Sequence, residues 1–149
     1  MPKGVAVVVG AADRRSPLWA RMWARVGIDP ADLHVVPAET YEAPPAGVEK
    51  LIAVGEAGLV ATTTARDLFR ARGRRIRSWA GPSLIHVYPV LSPTMMVPGV
   101  QGASKLARQP ARFQVLWALD VQQALADPIE TFVRTYVEDP SPQMFDVVV

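Results

Sequence analysis

The stretch that decides the fold is Val5-Ala6-Val7-Val8-Val9-Gly10. Its first five residues are apolar and mostly β-branched, with no polar interruption before the glycine. A strand with one wet face alternates apolar and polar residues; an unbroken run fits a strand covered on both faces, as in a parallel sheet. Beyond a short polar turn, Pro17 is placed to open a helix. Leu18, Trp19, Met22, Trp23 and Val26 then recur at helical spacing until Gly27 ends it. Leu33 to Val36 predicts a second short strand closed by Pro37, Tyr41 to Gly47 a loop, and Leu51 to Gly55 a third strand. Glu56 to Arg70 reads as a helix that the Thr62-Thr63-Thr64 run weakens in the middle.

Further on, Ile76 to Trp79 and Leu84 to Val90 are extended runs around Gly81-Pro82, a hairpin whose second arm would be the fourth core strand. The loop Ser92 to Gln109 leads to the clearest helix, opened by Pro110, with Phe113, Leu116, Trp117, Val121 and Leu125 on one face. Another helix is expected roughly from Pro128 to Glu138. Strands alternating with helices predict a three-layer α/β/α domain around a central, mainly parallel four-stranded sheet. Residues 1–139 would form this single domain, and 140–149 a tail or an extra strand. Such sheets bind ligands outside the carboxyl ends of their strands. The loops after Val9, Val36, Val54 and Leu91 are therefore where function is sought.

Half of the 149 residues are hydrophobic, enough for one continuous core. No cysteine is present, which excludes disulfides, thiolate metal sites and cysteine-ligated iron–sulfur clusters. Two isolated histidines, His34 and His86, do not suggest zinc, so no metal or cofactor is expected. The run Val5 to Val9 is too short for a signal-peptide core or a membrane span, which predicts a cytoplasmic protein without a membrane partner. Net charge is only +2, yet Arg66, Arg70, Arg72, Arg74, Arg75 and Arg77 fall within one short segment. A segregated basic segment can neutralise phosphates; a solvated arginine-rich surface explains it equally well.

The order of these pieces resembles the uracil-DNA glycosylase superfamily, especially its compact bacterial and archaeal branch. The parallels are a strand ending in a glycine-containing loop, the Gly27-Ile28 turn, the strand leading to Pro44-Pro45, and Lys50-Leu51-Ile52-Ala53-Val54-Gly55-Glu56-Ala57. They continue through Arg72-Gly73, Tyr88-Pro89-Val90-Leu91-Ser92-Pro93 and the Trp117 to Asp120 segment, so the likeness covers roughly Gly4 to Ala126. What the resemblance implies is DNA repair by base flipping: a nucleotide is drawn into a pocket, an apolar side chain fills the gap, and the glycosidic bond is hydrolysed.

The family's catalytic residues are largely replaced. Its water-activating loop corresponds to Gly10 to Ser16, where Asp13 is the only acid. Asp13 is a candidate general base, or it caps the following helix, a role Ser16 also fits. The stacking aromatic is missing, and Trp19 is the nearest substitute, although Trp19 and Trp23 four residues apart also suit a core. The amide that reads the base corresponds to Pro37, with Glu39 and Thr40 beside it as replacements or as solvated loop residues. The catalytic imidazole corresponds to Ser92, whose hydroxyl can donate a hydrogen bond but cannot become a cation. The intercalating position survives as Met95 and Met96, a wedge or core filling, and Lys105 and Arg108 follow as phosphate contacts.

The expected site therefore comprises Asp13 and Ser92 as catalytic candidates and Gly10, Trp19, Pro37, Glu39 and Thr40 around the base. Arg72, Arg74, Arg75, Arg77, Met95, Met96, Lys105 and Arg108 would touch nucleic acid. Three functions compete: a protein that binds single- or double-stranded DNA without removing uracil, a glycosylase or hydrolase for a different or modified base, and an adaptor that contacts a protein partner through its tail. Phe145-Asp146-Val147-Val148-Val149, which motivates the adaptor, is apolar enough to add a strand to a neighbour's sheet or to this one.

Overall fold

The computed structural model describes residues 3–80, 83–96, 110–128 and 147–148. Strand β1 is Val5–Val9, β2 Val35–Pro37, β3 Lys50–Val54, β4 Ile76–Ala80, β5 Ser83–Val90 and β6 Val147–Val148. They form one mixed sheet of order β2-β1-β3-β5-β4-β6. The four strands β2, β1, β3 and β5 are parallel, with Val7 opposite Ile52 and Ile52 opposite Tyr88. The α/β class and the mainly parallel sheet follow the expectation; the count of four strands does not. β4 turns back antiparallel on β5, so the hairpin return extends the sheet, and β6 in turn pairs with Ile76 and Arg77 of β4. Every residue of β1 and of β3 is buried, as the apolar runs Val5 to Val9 and Leu51 to Val54 require; Lys50, which begins β3, is buried with its ammonium on the carbonyls that end α5.

The helices are α1 (Ala11–Arg14), α2 (Trp19–Arg25), α3 (Gly55–Thr62), α4 (Leu68–Ala71) and α5 (Pro110–Ala126). Gly27, at φ +77°, lets α2 end in a Schellman motif: its N–H donates to the Ala24 carbonyl, and Ile28 N–H to the Trp23 carbonyl. The expected helix from Glu56 to Arg70 is two helices. The hydroxyls of Thr62 and Thr63 donate back to the carbonyls of Gly58 and Leu59, and Thr63 itself is extended. Gly58 brings α3 onto the sheet, since a Cβ there would lie 2.7 Å from the Val8 carbonyl oxygen. Trp23 joins α2 to α5 by meeting Trp117 edge-on at 4.9 Å, and Trp19 meets Trp23 at 5.7 Å. The expected helix from Pro128 to Glu138 lies outside the described residues. Among the described residues no helix is long and apolar enough to cross a membrane.

Candidate functional site

The carboxyl ends of β1, β3 and β5 bring three chain segments together. Asp13, on α1 just beyond β1, is only 7 % exposed, and Ser92, two residues past β5, is 6 % exposed. The Ser92 hydroxyl donates to Asp13 Oδ1. Thr94 completes the group: its N–H points at Ser92 Oγ (3.2 Å) and at Asp13 Oδ1 (3.4 Å), and its hydroxyl lies 2.6 Å from Ser92 Oγ. Gly55, the first residue of α3, closes this cluster from the third side. At φ +69° it would, with a Cβ, place that atom 2.8 Å from Ser92 Cβ and 3.0 Å from Asp13 Oδ2, so the absence of a side chain makes the approach possible.

Proton accounting fixes the chemical character of this cluster. A carboxylate only accepts, and a hydroxyl has one proton. Ser92 spends its proton on Asp13, so Thr94 must donate to Ser92. Both hydroxyl protons therefore point inward along Thr94→Ser92→Asp13, and the side chains offer only acceptors outward. Asp13 Oδ2 accepts no hydrogen bond among the described residues.

Asp13 and Ser92, both candidates from the sequence, are joined in the structure; neither Asp13 nor Ser16 caps α2, whose N-cap is Leu18 without a side-chain bond, and Ser16 Oγ accepts from Leu18 N–H in the turn before the helix. Thr94 and Gly55 were given no role, although a glycine directly after a strand and a hydroxyl two residues past Ser92 were visible signals. Gly10 sits against α3, where an added Cβ would be 3.1 Å from Ala57 Cβ. Glu39, fully exposed past β2, accepts from Ala11 N–H at 2.6 Å. That bond, with help from Arg15, holds its carboxyl below the usual range. Pro37 and Thr40 are exposed at the same end of the sheet. Trp19 is instead a core residue, because its ring is needed against Trp23.

The arginine segment divides. Arg72 Nε lies 3.2 Å from Asp120 Oδ2 on α5, and Arg75 pairs with Asp127 just past α5. Tyr88 OH also donates to Asp127 Oδ2, at 2.6 Å, and Lys50 Nζ caps the helix by donating to the carbonyls of Ala124 and Asp127. Gly73, at φ +71°, lies so close that a Cβ would meet Asp120 Oδ1 at 2.8 Å. Arg72 and Arg75 thus clasp β4 to α5, a use that conflicts with phosphate contact. Arg77 is half-buried on β4 and Arg74 is exposed. Met95 is half-buried against the core; the side chain of Met96, together with Lys105 and Arg108, lies outside the described residues.

Among the described residues no three His, Asp or Glu side chains gather to hold a metal ion. No protein-family model matches the chain, and no curated protein matches it.

Proposed function

We propose that this chain is a nucleic-acid-binding protein of three-layer, uracil-DNA glycosylase-like design that does not excise uracil. The observation that supports this reading is the inward-directed relay from Thr94 through Ser92 to Asp13. A departing uracil carries negative charge and needs a donor, worth roughly 3 kcal/mol of barrier when preorganised. Ser92 stands where the resemblance puts that donor, and its proton is committed to Asp13. The replacement of the base-reading amide by Pro37, which has no polar side chain, points the same way.

The test is fluorescence anisotropy with labelled single-stranded and duplex oligonucleotides at two salt concentrations, beside alkaline cleavage of a uracil-containing strand. Binding that weakens steeply with salt, without strand breaks, is the expected result. An absence of binding at low salt, or uracil removal, overturns it.

One observation favours a second reading, hydrolysis at a different or modified base. Asp13 Oδ2 accepts no hydrogen bond among the described residues, which leaves it available to orient an attacking water. A panel of oligonucleotides with altered pyrimidines separates the two readings. Strand breaks that vanish in Asp13→Asn support hydrolysis, and an inert panel excludes it for those bases.

A further inference from the structure

Arg72 and Arg75 spend their charge on carboxylates at α5, so a polyanion must meet other cations. Helix α2 buries Trp19, Met22 and Trp23 and leaves Arg21 and Arg25 exposed. Four residues apart, they lie one above the other on the same stripe, with Cβ atoms about 6 Å apart. Together with Leu18, Met22 and Gln114 they line a groove of about 460 Å³ beside α5. α2 contains no acid to offset them. Among the described residues neither arginine meets a carboxylate at ion-pair distance, whereas Arg72 and Arg75 both do. Arg25 instead donates to the neutral Gln114 Oε1 at 2.5 Å. That bond orients the guanidinium without cancelling its charge and leaves the Gln114 amide nitrogen as a further donor.

We propose that the groove between α2 and α5, through Arg21 and Arg25, binds the phosphate backbone of a nucleic-acid strand. The inference rests on the reading of the chain as a nucleic-acid binder and relocates its contact surface from β4 to α2. Like charges four residues apart on a helix repel each other, and an anion on the stripe relieves that repulsion. Guanidinium groups match phosphate oxygens with two parallel N–H bonds. Arg14 and Arg15, next to Asp13 in the chain, are also exposed. The exposed apolar residues Val115 and Leu119 are not part of the groove lining, which favours a phosphate chain over a lipid surface.

The experiment compares the full-length protein with Arg21→Ala/Arg25→Ala and with Arg74→Ala, by anisotropy on a labelled duplex across a salt series. Each phosphate contact contributes about 0.9 to the slope of log affinity against log salt. The double variant should lower that slope by about 2 and weaken low-salt binding tenfold or more, while its thermal melt shifts by only a few degrees, since both side chains are exposed and only the exposed Arg25–Gln114 bond is lost. Equal binding and slope in the double variant, with the wild type binding, overturns the groove and leaves the nucleic-acid reading intact. A wild type that does not bind overturns that reading, and the groove falls with it. Retention on anionic phosphatidylserine vesicles that depends on Arg21 and Arg25, without DNA binding, also overturns the proposal.

Discussion

Gly55 carries no side chain, and the contact between Asp13 and Ser92 depends on that absence. A Cβ at this position meets Ser92 Cβ at 2.8 Å and Asp13 Oδ2 at 3.0 Å, in a backbone at φ +69°. Gly47 makes a natural control: its φ is +78°, but an added Cβ there meets nothing within 4 Å. Gly47→Ala should cost only the backbone strain, about 1–2 kcal/mol, whereas Gly55→Ala should cost about 2 kcal/mol more because the dyad must move apart. Urea unfolding of both variants measures the difference, and equal losses would show that the cluster yields freely. Asp13 and Ser92 were both legible as candidates, because each sits at a strand's carboxyl end. Their bond was not, since 79 positions separate them and only the parallel pairing through β3 brings them together.

At the scale of elements, the turn before β4 holds α5 through Arg72. Asp120 is buried, and burial pushes its carboxyl above the ordinary range while Arg72 pulls it back down. Removing the guanidinium raises it further. An acid whose folded pKa lies above its unfolded value carries no penalty where both states are protonated, and the full penalty above the folded pKa. Arg72→Ala should therefore destabilise little near pH 3.5 and by about 3 kcal/mol at pH 7. In an Asp120→Asn background, where no carboxylate is left to strand, the cost of Arg72→Ala should be nearly the same at the two pH values. Denaturant melts at the two pH values check this; a loss that is the same at both would assign Arg72 to packing alone.

The element boundaries themselves were readable where a residue has one physical use. Gly27 ended a helix, Thr62 to Thr64 split another, and the β-branched runs became buried strands. The clasp was hidden because Arg72-Gly73 looks the same whether it faces phosphate or carboxylate, and Asp120 gave no hint of its partner. The sixth strand was hidden for a related reason. Val147–Val148 suited this sheet and a neighbour's equally, and only the free edge of β4 decides between them.

Across the whole molecule, the stability at mild acid should turn on one buried imidazole. His86 has no exposure, in a central strand between Lys50 on β3 and Arg77 on β4. Burial is the main force holding its pKa down to about 4, with Arg75, Arg77 and Lys50 adding to it and Asp127 opposing. Between the unfolded value near 6.5 and about 4, the unfolded chain binds the proton and the folded chain does not. Stability is then full above about pH 6.5 and falls as acid is added, by about 2 kcal/mol at pH 5. Asp120 acts in the opposite sense over the lower part of this window, since its raised carboxyl favours the folded state as it takes up a proton. The comparison is therefore cleanest between pH 7 and 5. His86→Gln cannot take up the proton, so whatever it costs at pH 7, its unfolding free energy should decline less steeply toward pH 5 than the wild type's. Parallel declines in the two proteins would mean that some other group sets the acid limit. A flatter decline in His86→Gln would trace it to this imidazole and its surrounding cations, the same group of side chains that fastens β3, β4 and β5 to the end of α5.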